Sequence, residues 1–455
     1  MIDKVIAHIE KNYEPYLERL NAFLRIPCIS TDPAAKAAMR DGADWVLRFF
    51  HDAGIDAGIH KTDGHPAVIA DTGPADAAGP TILVYGHYDV QPVGDPKLWE
   101  SGAFDPKVRQ GRLYARGSAD DKGQVLTHML AAEAWKKIAG KLPIRVKFLI
   151  EGEEEIGSPH LGALIEKERE RLACDYVCLS DTAKFSAEIP AITYGTRGML
   201  YKEIVYTGAR NDLHSGTFGG TFPNPATELI GLVGKMKDAD GRATIPGFYD
   251  DVDAPTAKEL ESLNSLPFDE EAYRESVGAG GLAGEKGHST MERRWLRPTL
   301  DVNGLLSGFT GEGAMTIIPS RAMAKVSMRL VPHQDPAKIS AAFDRFVAEH
   351  TPAGIQHEIK EFTSCAAYVC PLENPGLQKA AAAVEAGFGV KPAFIREGGS
   401  LPILPLFKKT LGAESIMMGF CLATCNAHGP NEFMVLDDFK AGIRTAAHLI
   451  AKMPG

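Results

Sequence analysis

Short apolar runs alternate with longer amphipathic segments through the first part of the chain. Apolar runs bounded by polar or turn-forming residues predict buried strands, at residues 67–71, 81–87, 144–152 and 176–181. Apolar residues that recur every three or four positions predict helices, at residues 1–26, 34–53 and 123–138. Pro15 is expected to kink or divide the first helix. This alternation is typical of an α/β domain with a mostly parallel sheet and flanking helices.

The pattern changes after Tyr194, where apolar and polar residues begin to alternate. The predicted order is strand, helix, two or three strands, helix and strand, at residues 200–208, 224–238, 299–332, 335–350 and 354–362. This β-α-β-β-α-β order predicts an inserted α+β domain with an antiparallel sheet over residues 196–369. Residues 1–195 and 370–455 would form the surrounding α/β domain, with further helices near 375–386 and 437–452. Residues 242–296 are left unassigned.

Composition and charge exclude several classes of protein. The formal net charge of -10 argues against a nucleic-acid or anionic-membrane partner, since neither attracts an acidic surface. No apolar run is long enough to span a bilayer, and the N-terminus lacks the apolar core of a signal peptide. The seven cysteines are an odd number, which favours reduced thiols in the cytoplasm over a disulfide framework.

Acidic and imidazole side chains follow several of the predicted strands. They occur in "YGHYD" (85–89), "ARGSADDKGQ" (115–124), "EGEEEIGSPH" (151–160), "CLSDT" (178–182) and "CNAHGPNE" (425–432). Taken singly, each segment is also compatible with a helix cap, a solvated acidic surface or a packed histidine. Functional groups in α/β sheets gather at the carboxyl ends of strands, so we expect the segments to converge. Converging carboxylates repel one another, and one or two metal ions would remove that cost.

A series of motifs resembles one known family. "GHYDVQP", "RGSADDKG", "EGEEEIGS", "DLHSG", "REGGS" and "AHGPNE" occur in that order between about residues 80 and 435. They resemble the co-catalytic dinuclear metallopeptidases, a family that contains carnosinase, cytosolic non-specific dipeptidases, aminoacylase, succinyl-diaminopimelate desuccinylase and glutamate carboxypeptidase. "VQP", "MRLVP" and "REGGS" are most similar to the carnosinase and cytosolic dipeptidase branch.

The resemblance implies two divalent metal ions per subunit. His87 and Asp181 would bind one ion, His428 and Glu155 the other, and Asp120 would bridge both. Zinc is the first choice, and manganese and cobalt are alternatives that the sequence leaves open. The family often has a cis peptide bond between the two residues that match Asp120 and Asp121.

The resemblance also implies the groups that act on the reacting water. Glu154 of "EGEEEIGS" would be the general base, and the register of the base and the ligand within Glu153–Glu155 stays open. Asp89 lies two residues after His87, so in an extended segment both side chains face the same way. We therefore expect Asp89 to accept a hydrogen bond from the imidazole and to orient it.

By the same resemblance, the inserted domain would act as a lid and a dimerisation domain. His214 of "DLHSG" would stabilise the oxyanion in the active site of the other subunit, which requires a homodimer. A group of residues near the substrate would hold its C-terminal carboxylate, with arginine as a bidentate partner: Arg329, Arg396, Gly398, Gly399 and Ser400.

The expected function is a metal-dependent dipeptidase. The alternative is an N-acyl-amino-acid amidohydrolase, because both reactions pass through a tetrahedral oxyanion and use the same dinuclear site. A binding protein on a degenerate scaffold is disfavoured, since every expected ligand and the base are present. Cys421 and Cys425 lie near His428, but no second pair of zinc ligands accompanies them, so we expect them to be packing residues.

Overall fold

The structure, a computed structural model, describes residues 1–75 and 79–454. Its strands, numbered in chain order, are β1 Asp56–His60, β2 Ala67–Asp71, β3 Ile82–His87, β4 Lys107–Arg109, β5 Arg112–Tyr114, β6 Val146–Glu151, β7 Tyr176–Leu179, β8 Ala191–Thr196, β9 Gly198–Thr207, β10 Leu213–His214, β11 Thr299–Ser307, β12 Ile317–Ile318, β13 Arg321–Leu330, β14 Gln356–Cys365, β15 Tyr368–Val369, β16 Ala393–Glu397, β17 Glu414–Gly419 and β18 Phe433–Val435. Its α-helices are α1 Ile2–Lys11, α2 Tyr13–Leu24, α3 Lys36–Asp52, α4 Lys122–Ala139, α5 Leu161–Lys167, α6 Arg169–Leu172, α7 Ser215–Phe218, α8 Pro225–Lys235, α9 Ala257–Asn264, α10 Glu270–Ser276, α11 Thr290–Trp295, α12 Pro336–His350, α13 Pro375–Phe388, α14 Ile403–Leu411 and α15 Leu436–Lys452.

The chain divides into two units, and each has its own sheet and core. The first unit comprises Met1–Tyr194, Cys370–Ile395 and Leu406–Gly455, and the second comprises Gly195–Val369 and Arg396–Pro405. The segment that carries Gly398 and Ser400 therefore belongs to the same unit as Arg329. Within the described residues, no helix combines the length and the apolar composition that a bilayer crossing requires.

The large sheet runs in the order β1-β2-β6-β3-β7-β17-β8, with β15 and β16 also paired to β8. Its centre is parallel, in the pairs β6–β3, β3–β7 and β7–β17. Its margins are antiparallel, in β1–β2, β2–β6 and β17–β8. The predicted α/β class is confirmed, but the sheet is mixed rather than mostly parallel. The short connection between β1 and β2 permits only an antiparallel pair, whereas α4 provides the crossover that β3 and β6 require.

The central strands of the large sheet are buried on both faces. Every residue of β3 and β6 is buried, as is helix α4 from Lys122 to Trp135. This helix contacts α15, α1, α2 and strand β3. Because α4 begins directly after Asp121, its buried position also fixes the backbone of the expected ligand Asp120.

The second unit is built on an antiparallel sheet in the order β11-β13-β9-β14. Residues of β13 are alternately buried and partly exposed, as a strand with one face on a core requires. Leu200, Ile204 and Val326 from the sheet pack with Leu229 from α8 and Phe343 from α12. The predicted β-α-β-β-α-β order is confirmed by β9, α8, β11, β13, α12 and β14.

Two sequence expectations differ from the structure. The N-terminal helix is divided at Asn12 rather than at Pro15, which lies in the first turn of α2, where a backbone N–H has no helical partner to lose. The unassigned residues 242–296 contain three helices, α9, α10 and α11.

Candidate metal centre

Parallel strands bring the predicted ligand segments to one edge of the large sheet. His87 ends β3 and is paired in register with Glu151 at the end of β6. The segment with Glu154 and Glu155 follows β6, and Asp181 follows the next parallel strand, β7. Since the carboxyl ends of parallel strands lie side by side, these side chains converge as the sequence led us to expect.

Among residues 1–75 and 79–454, two groups of side chains bring potential metal-ligand atoms within 4.8 Å of one another. The first ligand group is His87, Asp120 and Asp181, and the second ligand group is Asp120, Glu155 and His428. These are the side chains that the motif series selects as ligands. Asp120 belongs to both groups, which is the arrangement that a bridging carboxylate needs.

The two oxygens of Asp120 face opposite histidines. Oδ1 lies 3.1 Å from His87 Nε2, and Oδ2 lies 3.0 Å from His428 Nε2. Within the second group, Glu155 Oε2 lies 3.3 Å from His428 Nε2, and within the first, Asp181 Oδ2 lies 3.8 Å from His87 Nε2. The peptide bond between Asp120 and Asp121 is cis.

The donor atoms suit a divalent cation. His87 Nε2 and Asp120 Oδ1 are buried, and although they lie 3.1 Å apart, neither makes a well-formed hydrogen bond in the described part of the chain. Leaving such atoms unpaired in the interior is costly, and a cation between them would satisfy both. Nδ1 of His87 lies 3.0 Å from the backbone oxygen of Asp89, which can only accept, so Nδ1 carries the proton and Nε2 presents its lone pair.

The electrostatics of the centre also favour a cation. Burial raises the pKa of the Asp181 carboxyl to about 7, and the charge of Asp120 adds to the rise. Burial likewise raises the pKa of Glu154 above its usual value, and neighbouring carboxylates oppose its ionisation further. Hydrogen bonds to Asp120 and Glu155 raise the pKa of His428 to about 10. Without a cation these groups retain protons, which a metal ion would displace.

Asp89 lies beside His87, as expected, and it has further partners that its position in the sequence did not suggest. Its Oδ1 is 3.4 Å from His87 Nδ1, which is nearer to the Asp89 backbone oxygen. The carboxylate also accepts hydrogen bonds from the backbone N–H groups of Glu154, at 3.2 Å, and Glu155, at 3.1 Å. Asp89 therefore holds the expected base and one expected ligand by their backbone.

The other glutamates of "EGEEEIGS" have different partners. Glu151 accepts hydrogen bonds from the Tyr85 and Ser158 hydroxyl groups. Glu153 accepts one from the backbone N–H of His65 and contacts the His160 ring at 2.8 Å. Both side chains lie outside the two ligand groups.

Three residues around the centre were not selected from the sequence. Gln91 Nε2 donates to Glu155 Oε2 over 2.8 Å, and Arg116 is paired with Glu432 at 2.8 Å. Gln91 lies in "GHYDVQP" and Glu432 in "AHGPNE", so the motifs contained them. Their roles follow only from contacts with residues that are distant in the sequence.

The remaining predicted residues lie in the second unit. Arg329 NH1 donates to Ser400 Oγ over 2.7 Å, whereas the guanidinium of Arg396 is paired with the carboxylate of Glu259. The N–H groups of Gly398 and Gly399, expected to face a ligand, contact Glu397 Oε1 at 2.7 and 3.5 Å.

His214 is exposed at the end of β10. Its Nδ1 accepts a hydrogen bond from the N–H of Gly216 at 3.0 Å, which leaves Nε2 as the protonated nitrogen of the neutral ring.

The fold and the two ligand groups define a two-unit α/β protein with a candidate dinuclear metal centre. The chain belongs to peptidase family M20/M25/M40, whose sequence profile matches residues 83–452. It is 31% identical to the Cys-Gly metallodipeptidase dug1 of Schizosaccharomyces pombe, over 99% of each chain. It is 29% identical to the human Beta-Ala-His dipeptidase, over 95% of this chain and 89% of the relative. The crystal structure of an M20 family metallo-carboxypeptidase, Sso-CP2 from Sulfolobus solfataricus, superposes with a TM-score of 0.87 at 31% identity, covering 96% of this chain and 99% of that one.

Proposed function

We propose that the chain is a metal-dependent dipeptidase that hydrolyses the peptide bond of dipeptides with free termini. The observation that carries the proposal is the pair of ligand groups joined through Asp120. The dipeptidase names of two full-length relatives support the substrate class. Two divalent ions in such a centre would polarise the scissile carbonyl group and lower the pKa of a water molecule.

In this proposal His87, Asp120, Glu155, Asp181 and His428 bind the ions. Zinc is preferred because imidazole and carboxylate ligands suit it, and manganese or cobalt would be accepted by the same donors.

Glu154 is the proposed general base. Its side chain belongs to neither ligand group, and it directly precedes the proposed ligand Glu155 in the chain. A carboxylate that lies beside the metal ions without binding them can take a proton from water and return it to the leaving amine. Asp89 fixes the base through its backbone N–H.

On the substrate side we propose that Arg329 pairs with the C-terminal carboxylate, with Ser400 as its neighbour. A planar guanidinium is suited to bidentate pairing with a carboxylate. Arg396, Gly398 and Gly399 would contribute through the shape of the loop, because their polar groups already have protein partners.

We also propose a homodimer in which His214 acts in the active site of the partner subunit. The exposed Nε2–H of His214 is suited to donate to an oxyanion. Strand β11 lies at an edge of its sheet and exposes Val302, Leu305 and Leu306, a combination that a second copy could cover. In the same proposal the second unit is the lid and dimerisation domain, and residues of the first unit form the catalytic domain.

A cytoplasmic location belongs to the same proposal. Its support is that the seven cysteines, all within the described residues, form no disulfide, as a reducing compartment would keep them.

The test is turnover on two matched panels after the protein has been stripped of metal and refilled with zinc or manganese. One panel contains dipeptides with free N-termini, and the other contains the same C-terminal residues carrying acetyl, succinyl or carbamoyl groups. We expect cleavage of the first panel. Preference for the second would assign the chain to the amidohydrolases, and inactivity on both with two ions bound would contradict the substrate class.

A further inference from the structure

Arg116 and Glu432 form a deeply buried ion pair in the first unit. Their residues are 1% and 0% exposed, and Arg116 NH1 donates to Glu432 Oε2 over 2.8 Å. Two charges removed from water carry a large desolvation cost, which further hydrogen bonds must offset. The partners that supply those bonds lie in the segments that carry metal ligands.

The carboxylate of Glu432 orders the backbone that leads to Asp120. It accepts the N–H groups of Gly117 at 2.9 Å, Ala119 at 2.9 Å and Asp120 itself at 3.1 Å. With the Arg116 guanidinium, the carboxylate therefore has four donors. The shared ligand of the two groups is thus fixed at its own backbone nitrogen.

The guanidinium of Arg116 contacts His428 directly and is linked to Glu155 through Gln91. Its NH2 donates to the backbone oxygens of His428 at 3.1 Å and Pro92 at 3.0 Å. Pro92 directly follows Gln91, whose side chain donates to Glu155 Oε2 at 2.8 Å. One ion pair therefore connects the backbone segments that present Asp120 and His428, and it is linked to Glu155 through Gln91.

The backbone around His428 depends on such hydrogen bonds to keep its conformation. Asn426, His428 and Asn431 have φ angles of 58°, 63° and 56°, a region that residues with a Cβ atom seldom adopt. The His428 side chain is 58% exposed, so the protein interior does not surround it. By contrast, the His87 side chain is fully buried at the end of a central strand.

We propose that Arg116 and Glu432 are positioning residues for the second ligand group, an inference that rests on the dinuclear centre of the proposed function. Weakening the pair lowers the affinity of that group for its ion far more than the affinity of the first group, which keeps its ion. The first group shares only Asp120 with this network; His87 and Asp181 are positioned by strands β3 and β7.

The test is a titration of the metal-free, full-length protein with cobalt(II), in which ion binding is measured by calorimetry and by visible absorption. Glu432→Gln removes the charge at constant shape, and Arg116→Lys keeps the charge but cannot reach three acceptors. We expect each variant to keep one tight ion and to bind the second roughly 10–100-fold more weakly, the usual range for residues that orient ligands. Circular dichroism verifies the fold, and the two variants substitute for each other if one does not fold.

A matched control is Glu133→Gln, which removes a carboxylate of 3% exposure whose partner Arg19 lies 2.5 Å away, outside both ligand groups. It should bind both ions as the wild type does.

A second substitution shows which ligand group keeps its ion in the Glu432→Gln variant. Adding His87→Ala should abolish tight binding, whereas adding His428→Ala should preserve it.

Equal weakening of both ions, unchanged binding in both variants, or a tight ion that survives His87→Ala would overturn the inference while leaving the dinuclear centre intact. A wild-type chain that binds fewer than two ions would overturn the dinuclear centre itself, and with it this inference.

Discussion

The carboxylate of Asp89 accepts the backbone N–H of Glu154 at 3.2 Å, although the two residues are far apart in the sequence. The other carboxylate oxygen accepts the N–H of Glu155 at 3.1 Å. A single carboxylate thus sets the positions of the proposed base and of a proposed ligand.

Asp89→Asn should therefore impair catalysis without unfolding the protein. An amide has only one oxygen, so one of the two N–H groups loses its acceptor, and we expect kcat to fall roughly 10–100-fold. Asp32→Asn is the matched control, because Asp32 also accepts a backbone N–H, that of Ala34 at 2.8 Å, in an exposed turn. Steady-state kinetics of the two variants would measure the difference; equal activities would contradict the role of Asp89.

Glu154→Gln should separate catalysis from metal binding. Glutamine keeps the shape but cannot take a proton, so we expect kcat to fall roughly 10²–10⁴-fold while both ions stay bound. Glu153→Gln is the control within the same motif, since Glu153 contacts His160 and the His65 N–H. Kinetics and metal analysis on the same samples decide the matter, and full activity of the Glu154 variant with both ions bound would rule out the base.

The protein stripped of metal should become less stable as the pH rises from about 5.5 to 7.5. Burial raises the pKa of Asp181 to about 7, and that of Glu154 is also raised, so across this range the folded state still holds protons that the unfolded state has already released at lower pH. The raised pKa of His428 acts in the same direction, because an imidazole that is protonated in the folded state stabilises it below that pKa. The pKa of Asp120 is lowered, so its ionisation changes the stability of the folded state only under more acidic conditions.

A bound cation replaces these protons, so the metal-loaded protein should not show this loss of stability. Thermal unfolding of loaded and stripped protein across the pH series would measure the gap between their Tm values. We expect the gap to widen with pH, and a gap that stays constant or narrows would contradict the assignment.

Mixing two inactive variants should restore activity if His214 acts across a dimer. His214→Ala keeps the base and Glu154→Gln keeps the histidine, so a mixed dimer would contain one complete site. With equal amounts and free exchange of subunits, about a quarter of the wild-type activity should return. Assays before and after exchange would show this, and sedimentation would report the dimer. No recovery despite mixed dimers would place His214 outside the partner's site.

The sequence selects the side chains of the two ligand groups but not the residues that support them. His87 and Asp181 follow apolar strands, and their chemistry is visible in the motif itself. The role of Gln91 depends on a contact with Glu155, 64 positions away, and those of Arg116 and Glu432 on a contact across 316 positions. Local patterns carry no information about such contacts.

Residues 242–296 contain signals for helix starts, but the glycine, proline and charged residues of this segment obscured them. Helices α9 and α11 both begin with a capping box, Thr256 with Glu259 and Ser289 with Glu292. Serine or threonine followed three positions later by glutamate is a recognisable helix start. The combination of parallel and antiparallel strands in the large sheet was harder to predict from the sequence. Strand direction depends on the connections between strands, whereas apolar runs indicate only where strands lie.

The unequal surroundings of the two histidines have a kinetic consequence. The His428 side chain is 58% exposed, whereas that of His87 is not exposed at all. Exchange with the medium would therefore proceed through the His428 side, and a chelator added to the loaded protein would remove its ions in two phases. The half-filled state between them would be a distinct, long-lived species, so the history of a preparation would govern its activity as much as the amount of metal supplied.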